Sequence, residues 1–294
     1  MKTFVITGSV GHISKPAIEA LVKAGNQVRV ITSNPDSVTK ITSLGAEPLV
    51  GSVADADFLT RAFEGADAVY TMIPPIWQTE NFRGSQNEIG KSYAEAIRKS
   101  GVKYVVNLSS VGAHIGNGCG PIDGLADFEK LLNGINGLNV KHIRPAYFYY
   151  NFLAQIPLIK QAGIMGGNFG GPDQKLAIVH TDDIARAVVE ELSNLKFTGT
   201  SVRYVLSDVK TMVEVANIIG RAIGKNVNWV VFSDDDQRNG LLQAGLPKTH
   251  AEVYTQMGVG LRKGKLMEEA LQHSPEPGAI SFEDYMQEFK RAYS

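Results

Sequence analysis

The residues whose types and spacing point most directly to chemistry stand at the start of the chain, in Thr7-Gly8-Ser9-Val10-Gly11-His12-Ile13. An apolar run, Phe4-Val5-Ile6, leads into them, and helical spacing follows, with Ile13, Ala17, Leu21 and Ala24 on one face. Glycines between a strand and a helix let the backbone turn sharply and approach a pyrophosphate. The helix start then offers unpaired N–H groups and the positive end of its dipole. Gly8, Ser9, Val10, Gly11, His12 and Ile13 are therefore expected to hold a dinucleotide. Glycine-bearing turns also arise by chance, so the following elements must carry the case.

Those elements alternate. Gln27 to Ile31, Glu47 to Gly51, Ala66 to Ile73 and Lys103 to Leu108 read as strands. Helical patterns lie between them, near Val38 to Leu44, Asp55 to Glu64 and Gln78 to Lys99. Such alternation predicts right-handed βαβ units and a doubly wound parallel sheet, an α/β Rossmann-like fold. Ligands of these sheets lie outside the carboxyl ends of the strands. The strand ends add Thr32, Ser33, Asn34, Ser52, Met72, Ile73, Pro74, Ser109 and Ser110 to the expected cofactor wall. Past residue 110 the alternation loosens. Residues 111–123 carry four glycines and read as a mobile loop over the strand ends or a disordered patch. Leu138 to Ile143 gives a sixth strand, and short strands mixed with helices follow. Residues 1–150 are expected to form the NAD(P)-binding domain. Residues 151–294 should form a smaller α/β lobe, some segments of which return to the sheet.

Composition bounds the alternatives. A chain of 294 residues with 44% hydrophobic and 20% charged content can bury a large core. A net charge of −1 gives no electrostatic basis for binding nucleic acid or an anionic membrane. The apolar start is too short for a signal peptide, and no run approaches the ~20 residues needed to cross a bilayer. The single cysteine, Cys119, forms no internal disulfide and fits a reducing compartment, so a cytoplasmic location is expected.

Other chemistry-bearing residues are few. Tyr147-Phe148-Tyr149-Tyr150-Asn151 follows the sixth strand and suits a flat aromatic acceptor. Tyr147, Phe148 and Asn151 are the expected substrate contacts, although aromatic residues there also suit packing between lobe and sheet. His114 and Tyr147 are the candidates for proton donation. His180 and Asp183 fit the ordering of a helix start, and Asp234 to Asp236 fit a solvated one. Cys119 has no basic neighbour in sequence to lower its pKa. There is no metal-ligand spacing and no nucleophile elbow.

An ordered set of segments resembles one family. It comprises Thr7 to Ile13, Leu44-Gly-Ala-Glu47 through Gly51, Phe63-Glu-Gly-Ala-Asp67 and Gly101-Val-Lys-Tyr-Val105. It continues with Ser109-Ser-Val-Gly112, Arg144-Pro-Ala-Tyr-Phe148 with Asn151, Val179-His-Thr-Asp-Asp-Ile-Ala185 and Gly240 to Pro247. The chain resembles the NmrA-like group of atypical short-chain dehydrogenase/reductases. That group includes redox-sensing transcriptional co-regulators and NAD(P)H-dependent quinone, azo-dye and triphenylmethane reductases.

Against the family pattern, three positions stand out. Ser14 replaces the usual third glycine. Ser33 stands where NADP(H)-preferring members often carry arginine, and no acidic residue near it would hold a ribose diol. Thr32, Ser33, Asn34 and His12 can receive a 2′-phosphate, which favours NADP(H) over NAD(H). Pro121 and Leu125 occupy the window where a Tyr-x-x-x-Lys pair would stand, so alcohol oxidation by that pair is excluded.

Two functions remain open. One is an NAD(P)H-dependent reductase of quinone-like or other conjugated small molecules, working without flavin or metal. The other is a non-catalytic NADP(H)-binding sensor that acts on a protein partner. An epimerase of the extended family is disfavoured by the missing pair.

Overall fold

The computed structural model describes residues 1–273 and 275–294. The first half runs β1 (Thr3–Ile6), α1 (Ser14–Lys23), β2 (Gln27–Thr32), α2 (Val38–Ser43), β3 (Glu47–Val50) and α3 (Ala56–Phe63). It continues with β4 (Ala68–Thr71), α4 (Phe82–Ser100), β5 (Tyr104–Leu108), α5 (Ile122–Asn133) and β6 (Asn139–Pro145). Then come β7 (Tyr147–Phe148), a 3-10 segment (Tyr149–Gln155), α6 (Ile156–Ala162), β8 (Ile164–Gly167), β9 (Lys175–Val179) and α7 (Thr181–Asn194). The chain ends with β10 (Thr200–Val205), β11 (Asp208–Thr211), α8 (Met212–Ile223), β12 (Asn228–Val231), α9 (Asp234–Gln243), α10 (Lys248–Arg262), α11 (Lys265–Gln272) and α12 (Phe282–Tyr293).

Seven parallel strands form the central sheet, in the order β10-β6-β5-β4-β1-β2-β3. Its winding reverses at β1, between β2 and β4, which opens a crevice at the strand ends there. The central strands read as unbroken apolar runs because helices cover both faces. Phe4, Val5 and Ile6 have no exposed surface. Alternation along β1 sends Phe4 and Ile6 to one core with Ile18, Ile41 and Ile184, and Val5 to the other with Leu59, Tyr93 and Leu132. The fold is the α/β doubly wound Rossmann-like sheet expected from the alternation of elements. A three-stranded sheet, β11-β9-β7, joins β9 and β11 of the second half to β7 at the end of the first, and the pair β12-β8 lies in the second half. From that half β10 returns to pair with β6, aligning Thr200 with Val140 and Val205 with Pro145.

Several local expectations shift. The helix expected from Gln78 begins at Phe82, because the Asn81 side chain accepts from the Gly84 amide at 2.9 Å and caps it. Ala24 lies beyond α1 and is exposed, while Ile18 completes the buried face. Residues 111–123 form neither a mobile nor a disordered loop but a set of packed turns. Val111, Gly112, Ala113 and Cys119 are buried. The Asp123 carboxylate accepts from the amides of Gly118 and Cys119, both at 2.9 Å. Arg83 of α4 donates to the Gly116 carbonyl at 3.1 Å and to Asp127 at 2.7 and 2.8 Å.

Candidate functional site

The glycine turn is held from below. The Thr7 amide donates to the Tyr70 carbonyl at 3.2 Å, and the Thr7 hydroxyl accepts from the Met72 amide at 3.1 Å. The chain then turns through φ values of 87° at Gly8 and 54° at Ser9. Gly11 closes the turn onto the Gly8 carbonyl at 3.1 Å. Glycine is required at position 8, where a Cβ would be strained and would lie 2.8 Å from Ser14 Oγ. Ser14, in place of a third glycine, is buried and donates its hydroxyl to the Thr7 carbonyl at 2.9 Å. The serine thus ties helix to strand without blocking the turn. The N-terminus of α1 has no side-chain cap and no acidic residue in its first turn. A bare, positively polarised helix end behind a glycine turn fits a dinucleotide pyrophosphate.

A cavity of about 530 Å³ opens over this turn. Gly8, Ser9, Gly11, His12 and Ile13 line one end, Thr32, Ser33 and Ser52 another, and Met72 and Pro74 the inner wall. Of the residues expected there, Val10 packs against the core and Asn34 turns away, its side chain accepting from the Asp36 amide at 2.9 Å. Neither lines this cavity. The Thr32 hydroxyl is buried and already engaged by Ser9 Oγ at 3.0 Å and the Asn34 amide at 3.2 Å. Ser33 and His12 are exposed at the rim, and His12 stacks on Tyr150 with ring centroids 5.2 Å apart. No carboxylate lines this cavity.

A second cavity of about 300 Å³ adjoins the first. Met72, Pro74, Pro75, Leu108, Phe148 and Tyr150 line both, so the two lie side by side across these residues. Ile73, Ser109, Ser110, Tyr147 and Asn151 face the second cavity only. Pro121 and Leu125 line it too, which brings the window of the missing pair to the acceptor side. No Asp, Glu, Lys, Arg or His side chain contributes to this wall. Burial and the neighbouring hydroxyls of Tyr254 and Tyr150 push the ionisation of Tyr147 upward. Burial raises Tyr150 and Tyr254 as well, so all three phenols are neutral donors at physiological pH.

The second half of the chain closes this cavity. Tyr254, Met257 and Leu261 of α10 and Leu266 and Met267 of α11 form its far wall, and Gln86 of α4 its side. Sequence reasoning missed these residues. A signal was present in the helical spacing of Ala251, Tyr254, Gly258 and Leu261, but that pattern does not say which cavity a helix covers.

Other expected residues hold the frame. His114 faces Glu269 at 3.3 Å, away from both cavities, and burial lowers its pKa. Glu269 belongs to a network around Arg144, whose guanidinium donates to both Glu129 oxygens, at 3.0 and 2.6 Å, and to Tyr204 at 3.0 Å. Tyr204 in turn donates to Glu269. This network fixes the end of β6 to α5 and α11, two walls of the second cavity. The His180 side chain caps α7 by accepting from the Asp182 amide at 3.1 Å. Asp183 accepts from Ser207 Oγ at 2.6 Å and from the Ala279 amide at 3.0 Å, clipping the C-terminal segment down. Asp234 is not simply solvated: Arg262 and Asn168 bind it and hold its pKa at about 2. Burial and the Asp123 carboxylate push the Cys119 thiol up to about 11, so it stays protonated.

Quinone oxidoreductase 2 of Escherichia coli (strain K12) is 24% identical over 273 residues, covering 90% of each chain. The crystal structure of the E. coli NADPH-dependent quinone oxidoreductase complexed with NADPH superposes with a TM-score of 0.83, covering 98% of this chain and 99% of that one at 24% identity. Citrobacter sp. triphenylmethane reductase complexed with NADP(H) gives 0.81 at 19% identity, covering 97% and 99%. NmrA, a negative transcriptional regulator in complex with NAD, gives 0.72 at 16% identity, covering 98% and 94%. At these identities the structures bear on the fold alone. The NmrA-like family model matches residues 1–261, and the chain belongs to the NmrA-like family.

Proposed function

We propose that the chain binds NADP(H) in the larger cavity and reduces a quinone-like or other conjugated small molecule in the smaller one, directly and without flavin. The observation that carries this is adjacency: six residues line both cavities, so a nicotinamide seated beside them would face an acceptor. Gly8 to Ile13 would receive the pyrophosphate, Ser33 and His12 a 2′-phosphate, and Ser52 the adenosine end. Bound there, a reduced nicotinamide supplies a hydride. The chain's part is to stack the acceptor among Phe148, Tyr147 and Tyr150, exclude water with the α10 and α11 walls, and offer neutral donors. The quinone oxidoreductase and the triphenylmethane reductase share this fold over nearly their whole length, which supports the assignment. We assign residues 1–150 mainly to the cofactor and 151–294 mainly to closing the acceptor site. The test is NADPH consumption with flavin-free protein across a panel of quinones and dyes. Turnover on at least one acceptor is expected, and tight NADPH binding with no turnover on any would overturn the proposal.

A second reading, a non-catalytic NADP(H) sensor with a protein partner, is favoured by Pro121 and Leu125 at the wall where a proton-transfer pair would stand. A sensor needs different affinities for two cofactor states. The segment 111–123 is already packed and offers little to order on binding. Equal affinity for NADPH and NADP, with equal protease protection, argues against sensing.

A further inference from the structure

The smaller cavity contains carbonyl-compatible donors that no residue pair of the usual short-chain type explains. Its wall carries no charged group, and Pro121 and Leu125 have no proton to give. The Gln86 amide nitrogen is spent on the Pro121 carbonyl at 3.1 Å. Tyr150 is 38% exposed and its ring leans on His12 and Phe148, at 5.2 and 5.6 Å between centroids. Tyr147 and Tyr254 face only the smaller cavity, from opposite halves of the chain. The Tyr147 ring is fixed by Phe152 and Phe169, at 5.3 and 5.9 Å. Among the described residues neither hydroxyl makes a hydrogen bond within the protein.

Resting on the function proposed above, we propose that Tyr147 and Tyr254 together are the hydrogen-bond donors to the oxygen of a carbonyl-bearing acceptor. They would take the place of the missing Tyr-x-x-x-Lys pair. A quinone that takes up a hydride gains two electrons and one proton and becomes a hydroquinone monoanion, while the reduced nicotinamide becomes the oxidised form. The negative charge gathers on an oxygen in a cavity with no charged lining residue, where the two phenol O–H groups stand beside the Ser109 and Ser110 hydroxyls and the Asn151 amide and can stabilise it. The second proton comes from solvent through a tyrosine hydroxyl and completes the hydroquinone. Their raised ionisation keeps both phenols protonated for this role.

Two measurements on the full chain decide it. In turnover, Tyr254→Phe and Tyr147→Phe should each lower kcat for a naphthoquinone about tenfold or more, with KM for NADPH held. In binding, each variant should weaken a nitrophenolate, read by its visible absorbance shift, about tenfold while nitrobenzene affinity stays within about twofold. Parallel loss of both ligands would mark the tyrosines as packing and overturn the proposal. So would unchanged kcat, or failure of the unmutated chain to bind the phenolate. If the unmutated chain reduces no quinone, the proposed function fails, and the phenolate-against-nitrobenzene comparison still decides the donors.

Discussion

In the function proposed above, cofactor choice turns on Ser33. It stands exposed at the rim of the larger cavity, and among the described residues its side chain has no hydrogen-bond partner, whereas its neighbours Thr32 and Asn34 are engaged by backbone and side-chain partners. A carboxylate there would accept both ribose hydroxyls and repel a 2′-phosphate. Ser33→Asp is therefore expected to weaken NADPH at least about tenfold relative to NADH, by fluorescence titration of both cofactors. An unchanged ratio would place the phosphate elsewhere. The glycine turn was legible because its residues act through their own backbone, which local sequence states. Thr32 and Asn34 were harder. Their types suit phosphate binding, but a hydroxyl or amide already bonded at home cannot be told from a free one until the turn is seen.

At the scale of elements, β4, β5, β6 and α5 are joined by a buried polar chain. Thr71 donates to Asn107 at 3.0 Å, Asn107 meets His142 Nδ1 at 3.1 Å, and His142 Nε2 meets Asn133 at 2.8 Å. With one ring nitrogen accepting and the other donating, His142 is neutral. Burial pushes its pKa from 6.5 down to about 4, with the Glu129 carboxylate opposing and Arg144 reinforcing the shift. The folded state thus resists a proton that the unfolded chain accepts. The stability His142 confers is full above pH 6.5 and declines as the pH falls toward about 4. The loss amounts to about 3 kcal/mol. Urea unfolding at stepped pH should show this decline, and His142→Gln should flatten it. An equally steep decline in the variant would assign the effect to other groups. Strand and helix identities were readable in this half, since the apolar runs and their spacing follow from burial on two faces. The packing of residues 111–123 was not. Glycines there suggest freedom, and only Asp123 and Arg83, brought together by the fold, remove it.

For the whole molecule, the two halves share one sheet and one site. β10 extends the sheet beyond β6, α7 packs beside α1, and α10 and α11 wall a cavity whose floor is Met72 and Leu108. A fragment ending at residue 150 would expose the edge of β6 and the core surface under α7, so it is expected not to fold. Near-UV circular dichroism checks this, and a native-like spectrum with cooperative unfolding would contradict it. The far wall of the site was invisible in sequence because Tyr254 and Leu261 lie more than a hundred residues from Tyr147, and helical spacing does not encode which partner a helix meets. Among the described residues no helix is long and apolar enough to cross a membrane, and no cluster of ligating side chains could hold a metal ion. The central claim is that cofactor and acceptor meet directly across the residues common to both cavities. Single-turnover oxidation of stereospecifically deuterated NADPH by a quinone, with flavin-free protein, tests it most directly. Slowing with deuterium on one face of the nicotinamide and not the other is the predicted result, and equal rates for both labelled cofactors would contradict it.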